Sequence, residues 1–328
     1  MAVSQRESTT ALAEGALMAA LAAGLALVGL FLPPLQLFTN LIWTLPITVL
    51  IVRRDLRTGI MAAFVAGLLV GLLGGVPRAF LLFTQFAAVG LLYGYLFKQG
   101  TAPGRMVLAG TLVALISLLC SLGFSFYLAG WSPARLAADL EQMPEHVLEM
   151  YRRSGVLEQM AREGVTPEEL HGYLENMVDY LKRLLPAILA TVALFTAFIN
   201  YLVAETVLRR LSLTEQRLPP FRHWQLPWYT LWGVIAGLGL SLLGDYEEVT
   251  WLKTLGLNIL YLYLPLVLGN GLAVVSFFAH RFRWSWFLKA AFLMIFLINI
   301  PLGLLVVLGL GLFDPFLGWR KPREAGSP

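Results

Sequence analysis

ALAEGALMAALAAGLALVGLFLPPLQLFTNLIWTLPITVLIVRRDLRTGIMAAFVAGLLVGLLGG, residues 11–75, holds an apolar span, a double-proline break at Pro33 and Pro34, and a second span. A basic turn with Arg53, Arg54 and Arg57 then leads into a third span rich in small residues. Small residues recur every four positions in the first span, at Ala11, Gly15, Ala19 and Ala23. They recur again in the third, at Gly59, Ala63, Gly67, Gly71 and Gly75. Residues four apart share one helical face, so each series predicts a groove that another backbone can approach closely. Both are helix-packing or partner-contact surfaces.

The same character extends over the whole chain. Of 328 residues, 58% are hydrophobic and 13% charged, with a mean hydropathy of +0.72; soluble domains carry about 25% charged residues. Apolar runs of eighteen or more residues are long enough to cross a hydrocarbon core of about 30 Å. Backbone polar groups find no partner in lipid, so the spans are predicted to be helices, and the alternation of a membrane β-barrel is absent. The fold class is therefore an all-α integral membrane bundle. The formal charge of +4 resides mostly between spans, which bears on orientation and not on a nucleic-acid partner. The single cysteine, Cys120, falls in an apolar span, where it reads as a small buried residue, and no intrachain disulfide is possible. The first apolar run follows Arg6 and Glu7 and is too long for a signal-peptide core, so no cleaved leader is expected.

Spans are predicted near 11–31, 35–52, 58–76, 79–97, 106–129, 185–207, 227–243, 255–279 and 290–312. Basic residues are retained on the cytoplasmic side. Every second connection is basic: Arg53, Arg54 and Arg57; Lys98 and Arg105; Arg209, Arg210, Arg217 and Arg222; Arg281 and Arg283. The N-terminus is thus expected in the cytoplasm. Nine crossings would leave Arg320, Lys321 and Arg323 outside, against the same rule. A bent or re-entrant hairpin broken at Asn299 and Pro301 would instead leave eight. The one large polar insert, residues 131–183, is expected outside as a helical cap, with ten acidic residues against six basic ones. Ser132 before Pro133, and Thr166 before Pro167 with Glu169 following, mark helix starts. The second of these helices should run on into the sixth span, bent at Pro186. Leu170, Leu174, Met177, Val178 and Leu181 give it one apolar face.

No HExxH, GxSxG or P-loop pattern occurs, so neither a zinc protease, a hydrolase elbow nor an intrinsic ATPase is indicated. No catalytic residue, cofactor or metal is expected. His171 and Glu175, four apart, read as an exposed charged face and not as metal ligands. Polar residues within spans are costly in lipid and usually face protein or a cavity. Glu14 and Glu205 are the carboxylates within the predicted spans, and Arg209 one turn after Glu205 suggests a local ion pair. Candidate ligand contacts are Asn40, Trp43, Tyr127, Trp131 and Asn200. The alternative readings are interhelical hydrogen bonds for the asparagines, with Asn258, Asn270 and Asn299, and interface anchoring for Tyr127 and Trp131.

The runs GLFLPPLQLFTNLIWTLPITVLIVRRDLRTG and GLGLFDPFLGWRK, with the multi-span layout, resemble the YybS-like family of bacterial membrane proteins, which has no assigned biochemical function. The first six spans are similar, more distantly, to the substrate-binding S components of energy-coupling-factor vitamin transporters. That likeness implies a six-helix core over residues 1–207, insert included, followed by a C-terminal membrane region over 208–328. It also implies a transmembrane coupling protein docked on the first helix at Gly15, Ala19 and Ala23, and ATPases supplied in trans. The large insert and the extra C-terminal spans depart from the S-component outline. Two functions follow: a solute-binding uptake subunit, or a structural or regulatory protein that assembles with other membrane proteins and moves nothing.

Overall fold

The computed structural model describes residues 2–162 and 164–320, and among these every regular element is helical. Lys321 and Arg323 lie outside the described residues, as do the side chains of Arg6 and Glu7. The helices are α1 (Ala2–Phe31), α2 (Gln36–Ile42), α3 (Leu45–Arg53), α4 (Leu56–Gly74), α5 (Val76–Leu82), α6 (Ala88–Lys98) and α7 (Pro103–Ala129). Then come α8 (Pro133–Glu141), α9 (Met143–Arg153), α10 (Val156–Arg162), α11 (Pro167–Arg210), α12 (Leu231–Tyr246), α13 (Thr250–Arg281), α14 (Trp286–Ile298) and α15 (Ile300–Leu317). A five-residue π-helical stretch, Phe83–Ala87, joins α5 to α6.

Among the described residues seven helices are long and apolar enough to cross a membrane: Thr9–Phe31, Leu56–Gly74, Val76–Lys98, Pro103–Ala129, Pro167–Arg210, Thr250–Arg281 and Ile300–Leu317. The protein is an all-α polytopic membrane protein. Three of the nine expected spans take other forms. Residues 35–52 are two short helices, α2 and α3, because Pro46 in the first turn of α3 has no N–H to continue a helix. The seventh span is the 16-residue α12. The last is two helices broken at Asn299, whose side chain caps Leu302 N at 3.2 Å.

Contacts divide the chain into two compact units, Met1–Pro167 with Val192–Arg217, and Glu168–Thr191 with Leu218–Pro328. Helix α11 thus contributes its first half to one unit and its second half to the other, a division different from the expected 1–207 and 208–328. In the first unit α3 is the buried element: Pro46, Ile47, Thr48, Val49, Leu50 and Ile51 are all inaccessible. A Cβ on Gly59 would sit 2.1 Å from Ile51 Cγ1, and one on Gly94 2.8 Å from Ile51 Cβ, so α4 and α6 close on α3 through glycines. In lipid, helix association depends on such close van der Waals packing because tails are as apolar as leucine. Residues 35–52, expected as one continuous span, are thus a pair of short helices of which α3 is buried as a core helix of the bundle.

The first-span face is part of the same packing. Ala19 and Ala23 are 1% and 3% exposed, and Ala19 packs with Leu50 and Ala62. The face that the S-component likeness reserves for an outside partner is therefore filled by the chain's own α3 and α4. In the third span Gly59 and Ala63 are buried, and Gly67 and Gly71 face Phe83 and Ala79. Gly75 is not part of this ridge: at φ +92° it forms the exposed turn between α4 and α5. Cys120 is exposed on α7 rather than buried. Glu14 is held between Arg53 and Arg54, at 2.9 and 2.6 Å, and Glu205 lies 3.5 Å from Arg209, the local pair expected.

In the second unit α13 is the axis, flanked by α12 and α15. Glycine permits both crossings: a Cβ on Gly256 would meet Ser241 N at 2.5 Å, and Cβ atoms on Gly271 and Gly311 would meet Val307 O and Val267 O at 1.9 and 2.0 Å.

Candidate functional site

The five residues expected to contact a ligand do not gather in one place. Trp43 is 3% exposed in the apolar core of the first unit. The cavity it lines there, with Ala26, Ala66, Val70 and Phe83, measures about 10 Å³, space for a single water at most. Asn200 is buried and donates to Thr196 O on its own helix at 2.8 Å. Tyr127 is 81% exposed, Trp131 is exposed beside Phe126, and Asn40 is half-buried.

A polar cavity lies elsewhere, between α11 and α13. On α11, Asn176, Asp179, Tyr180 and Arg183 stand at intervals of three, one and three residues, which puts them on one helical face. The apolar stripe of Leu170, Leu174 and Val178 occupies the other face, with Leu170 and Val178 buried. On α13, Lys253 and Leu257 are four apart and turn toward α11. These six residues line a cavity of about 130 Å³. Lys253 Nζ also reaches Asp245 at 2.5 Å. Neither the Asp179 carboxylate nor the Arg183 guanidinium has a hydrogen-bond or ion-pair partner among the described residues.

The wall beside this cavity carries a proline within a helix. Pro186 lies inside α11, and the side chain of Asn258 bonds backbone groups on either side of it. Its Nδ2 donates to Arg183 O at 2.7 Å and its Oδ1 accepts from Ala187 N at 2.9 Å. Those two groups, four apart, pair with each other in an unbroken helix. Asn258 therefore stands in for a helical hydrogen bond, and Nδ2 completes its bonding on Thr254 O at 2.8 Å. A side chain inserted in the ladder fixes a bend. This is the interhelical role expected for the asparagines.

A second polar cluster is fully enclosed. Asp314 has no exposure and Asn270 is 4% exposed. After α15 the αL residue Gly318 turns the chain back, and Arg320 clamps Asp314 with Nε at 3.0 Å and Nη2 at 2.5 Å. Nη2 also reaches Asn270 Oδ1 at 2.8 Å and Nη1 reaches Arg222 O at 3.1 Å, while Asn270 Nδ2 donates to Gly311 O at 2.8 Å. Every charged atom is satisfied, so the cluster acts as a structural clamp. Asp314 is thus a third carboxylate inside a membrane helix, beyond the Glu14 and Glu205 expected.

Metal binding finds no focus: among the described residues no group of three or more histidine, cysteine or acidic side chains converges. His171 Nδ1 lies 3.7 Å from Glu175 Oε2 on a solvent-facing stretch.

A family model described as "Predicted membrane protein (DUF2232)" matches residues 20–315. The chain belongs to this family. The match spans both units, the α11–α13 cavity and Asp314, and stops before Arg320. The chain is also 25% identical over 281 residues to the uncharacterised protein YybS of Bacillus subtilis (strain 168), covering 84% of this chain and 86% of the relative. No solved structure matches. The signal for the cavity was present in the α11 sequence as the Asn176–Asp179–Tyr180–Arg183 face, whereas Lys253 joins it only through the fold.

Proposed function

We propose that this DUF2232 protein is a non-catalytic, solute-binding membrane subunit that takes up a small polar molecule at its extracytoplasmic face. The observation that carries the reading is the α11–α13 cavity, where Asp179 and Arg183, side chains of opposite charge, stand unpaired in the two turns before Pro186 of α11. Small-molecule sites are commonly concave, with a few convergent polar groups beside apolar contacts, which is the make-up of this cavity. Alternating basic connections orient the N-terminus inward and residues 131–183 outward, in a bacterial plasma membrane. Energy would come from a coupling protein and ATPases in trans, as the S-component likeness implies. With Gly15, Ala19 and Ala23 enclosed, the small residues left exposed on α1, namely Ala13, Ala16, Ala20 and Gly24, are the surface for that contact.

The test is thermal melting of the purified chain in detergent against defined metabolites grouped as neutral, anionic, cationic and zwitterionic. At least one group should raise the melting temperature, and the response should vanish in an Arg183→Gln, Lys253→Gln double variant. No response from any group contradicts the reading. The second reading, a structural or assembly protein, is favoured by the enclosure of the first-helix face. It predicts a stable chain that responds to membrane partners and to no solute.

A further inference from the structure

We infer that the α11–α13 cavity accepts a small zwitterion, a ligand carrying an ammonium group and a carboxylate or phosphate a few ångströms apart. The inference rests on the solute-binding reading above. Oppositely charged residues four apart on a helix are within reach of each other, and closing stabilises the helix only slightly. In this chain some such pairs close, as Arg153 with Glu149 and Arg209 with Glu205, and others stand open, as Arg135 with Asp139 and Glu158 with Arg162. Asp179 and Arg183 also stand open, and they differ from the other open pairs in lining one cavity together. Lys253 is already committed to Asp245, which leaves one negative and one positive group open on a single wall.

A dipolar ligand lying along α11 satisfies both, with its ammonium at Asp179 and its acid group on the forked donors of Arg183. A simple anion would leave Asp179 opposed to it, and a simple cation would leave Arg183 opposed. Asn176 spends its amide N–H on Gly172 O and keeps its Oδ1 as an acceptor, while the Tyr180 hydroxyl can donate or accept. Leu257 gives one apolar contact, and a volume of about 130 Å³ limits the ligand to a compact headgroup. Two sources carry this chemistry: a free amino-acid-type solute, and the phosphoethanolamine headgroup of a membrane lipid.

The experiment melts the full chain in detergent with glycine, alanine, serine or phosphoethanolamine, and with acetate or ethylamine as singly charged controls. A parallel arm uses phosphatidylglycerol nanodiscs with and without phosphatidylethanolamine. The expected result is stabilisation by zwitterions and none by acetate or ethylamine. Asp179→Asn and Arg183→Gln should each bind about tenfold more weakly, the loss of one charged contact, and Arg183→Lys should retain part of the affinity. Stabilisation by free amino acids identifies a soluble ligand; stabilisation only by phosphoethanolamine and by phosphatidylethanolamine discs identifies a lipid headgroup. Equal stabilisation by acetate or ethylamine, or binding unchanged in both charge-removing variants, overturns the inference. A response confined to neutral or singly charged solutes also overturns it while leaving solute binding intact. Silence from every charge class removes both.

Discussion

Asp314 and Arg320 are enclosed together, and taking two charges out of water costs several kcal/mol each unless geometry and extra hydrogen bonds offset it. Here the two-pronged clamp, Asn270 and the Arg222 carbonyl supply that offset. Asp314→Asn or Arg320→Gln should therefore destabilise the protein by about 3–5 kcal/mol, since either leaves a buried group unpaired. The double variant should lose less than the sum, as residues in one network couple. Chemical or thermal melts of the three variants check this. Asp55, in the connection between α3 and α4, caps α4: Thr58 N–H donates to its Oδ1 at 2.8 Å. That bond is the main reason its carboxyl titrates below the ordinary 3.8. Because the folded value is depressed, the cap's contribution is fully present above the unfolded pKa and is lost as pH falls through the folded one. Asp55→Ala should cost about 1 kcal/mol at neutral pH, and the difference from the parent should shrink on acidification below 3.8. The sequence hid the clamp for a simple reason. Asp314 falls two residues past the apparent end of a span, and nothing in the run GLGLFDPFLGWRK shows that Gly318 folds Arg320 back onto it.

The α13–α15 crossing is set by two glycines facing each other's backbone carbonyls. Gly271→Ala and Gly311→Ala place a methyl where Val307 O and Val267 O stand, and backbone cannot yield as a flexible side chain can. Both should sharply lower folded yield in detergent, whereas Gly269→Ala and Gly309→Ala, with open space at Cβ, should leave it unchanged. Size-exclusion profiles of the four variants decide this. The Pro186 bend makes a separate prediction. Asn258→Ala strands Arg183 O and Ala187 N and should cost about 1–3 kcal/mol, read by thermal melting. At this scale the sequence was most legible where signals were local. Pro167 and the apolar run beyond it foretold a single long helix from the insert into the sixth span, and Ser132 foretold the start of α8, which it caps through Arg135 N at 3.2 Å. It was least legible at α3. A buried helix and a lipid-facing one are equally apolar, and only the glycines of α4 and α6 distinguish them once the fold brings them together.

Across the whole molecule the sequence made the class plain, because 58% apolar content and repeated long runs leave only a helical membrane protein. It did not single out the proposed cavity. Asn40, Trp43, Tyr127, Trp131 and Asn200 stood out as polar or aromatic residues in or near apolar spans, but Trp43 and Asn200 are used for packing and Tyr127 faces outward. The proposed cavity uses the polar face of α11 in the large insert, where charges excite no suspicion until α13 is seen to pack beside them with Asp179 and Arg183 left unpaired. The central claim is that this cavity opens to the outside and holds a solute. The most direct measurement is labelling of Asn176→Cys, in a Cys120→Ser background, by a membrane-impermeant maleimide on intact cells. The account predicts labelling without permeabilisation, slowed by a solute that stabilises the purified protein. Labelling that requires permeabilisation, or that no stabilising solute slows, would contradict it.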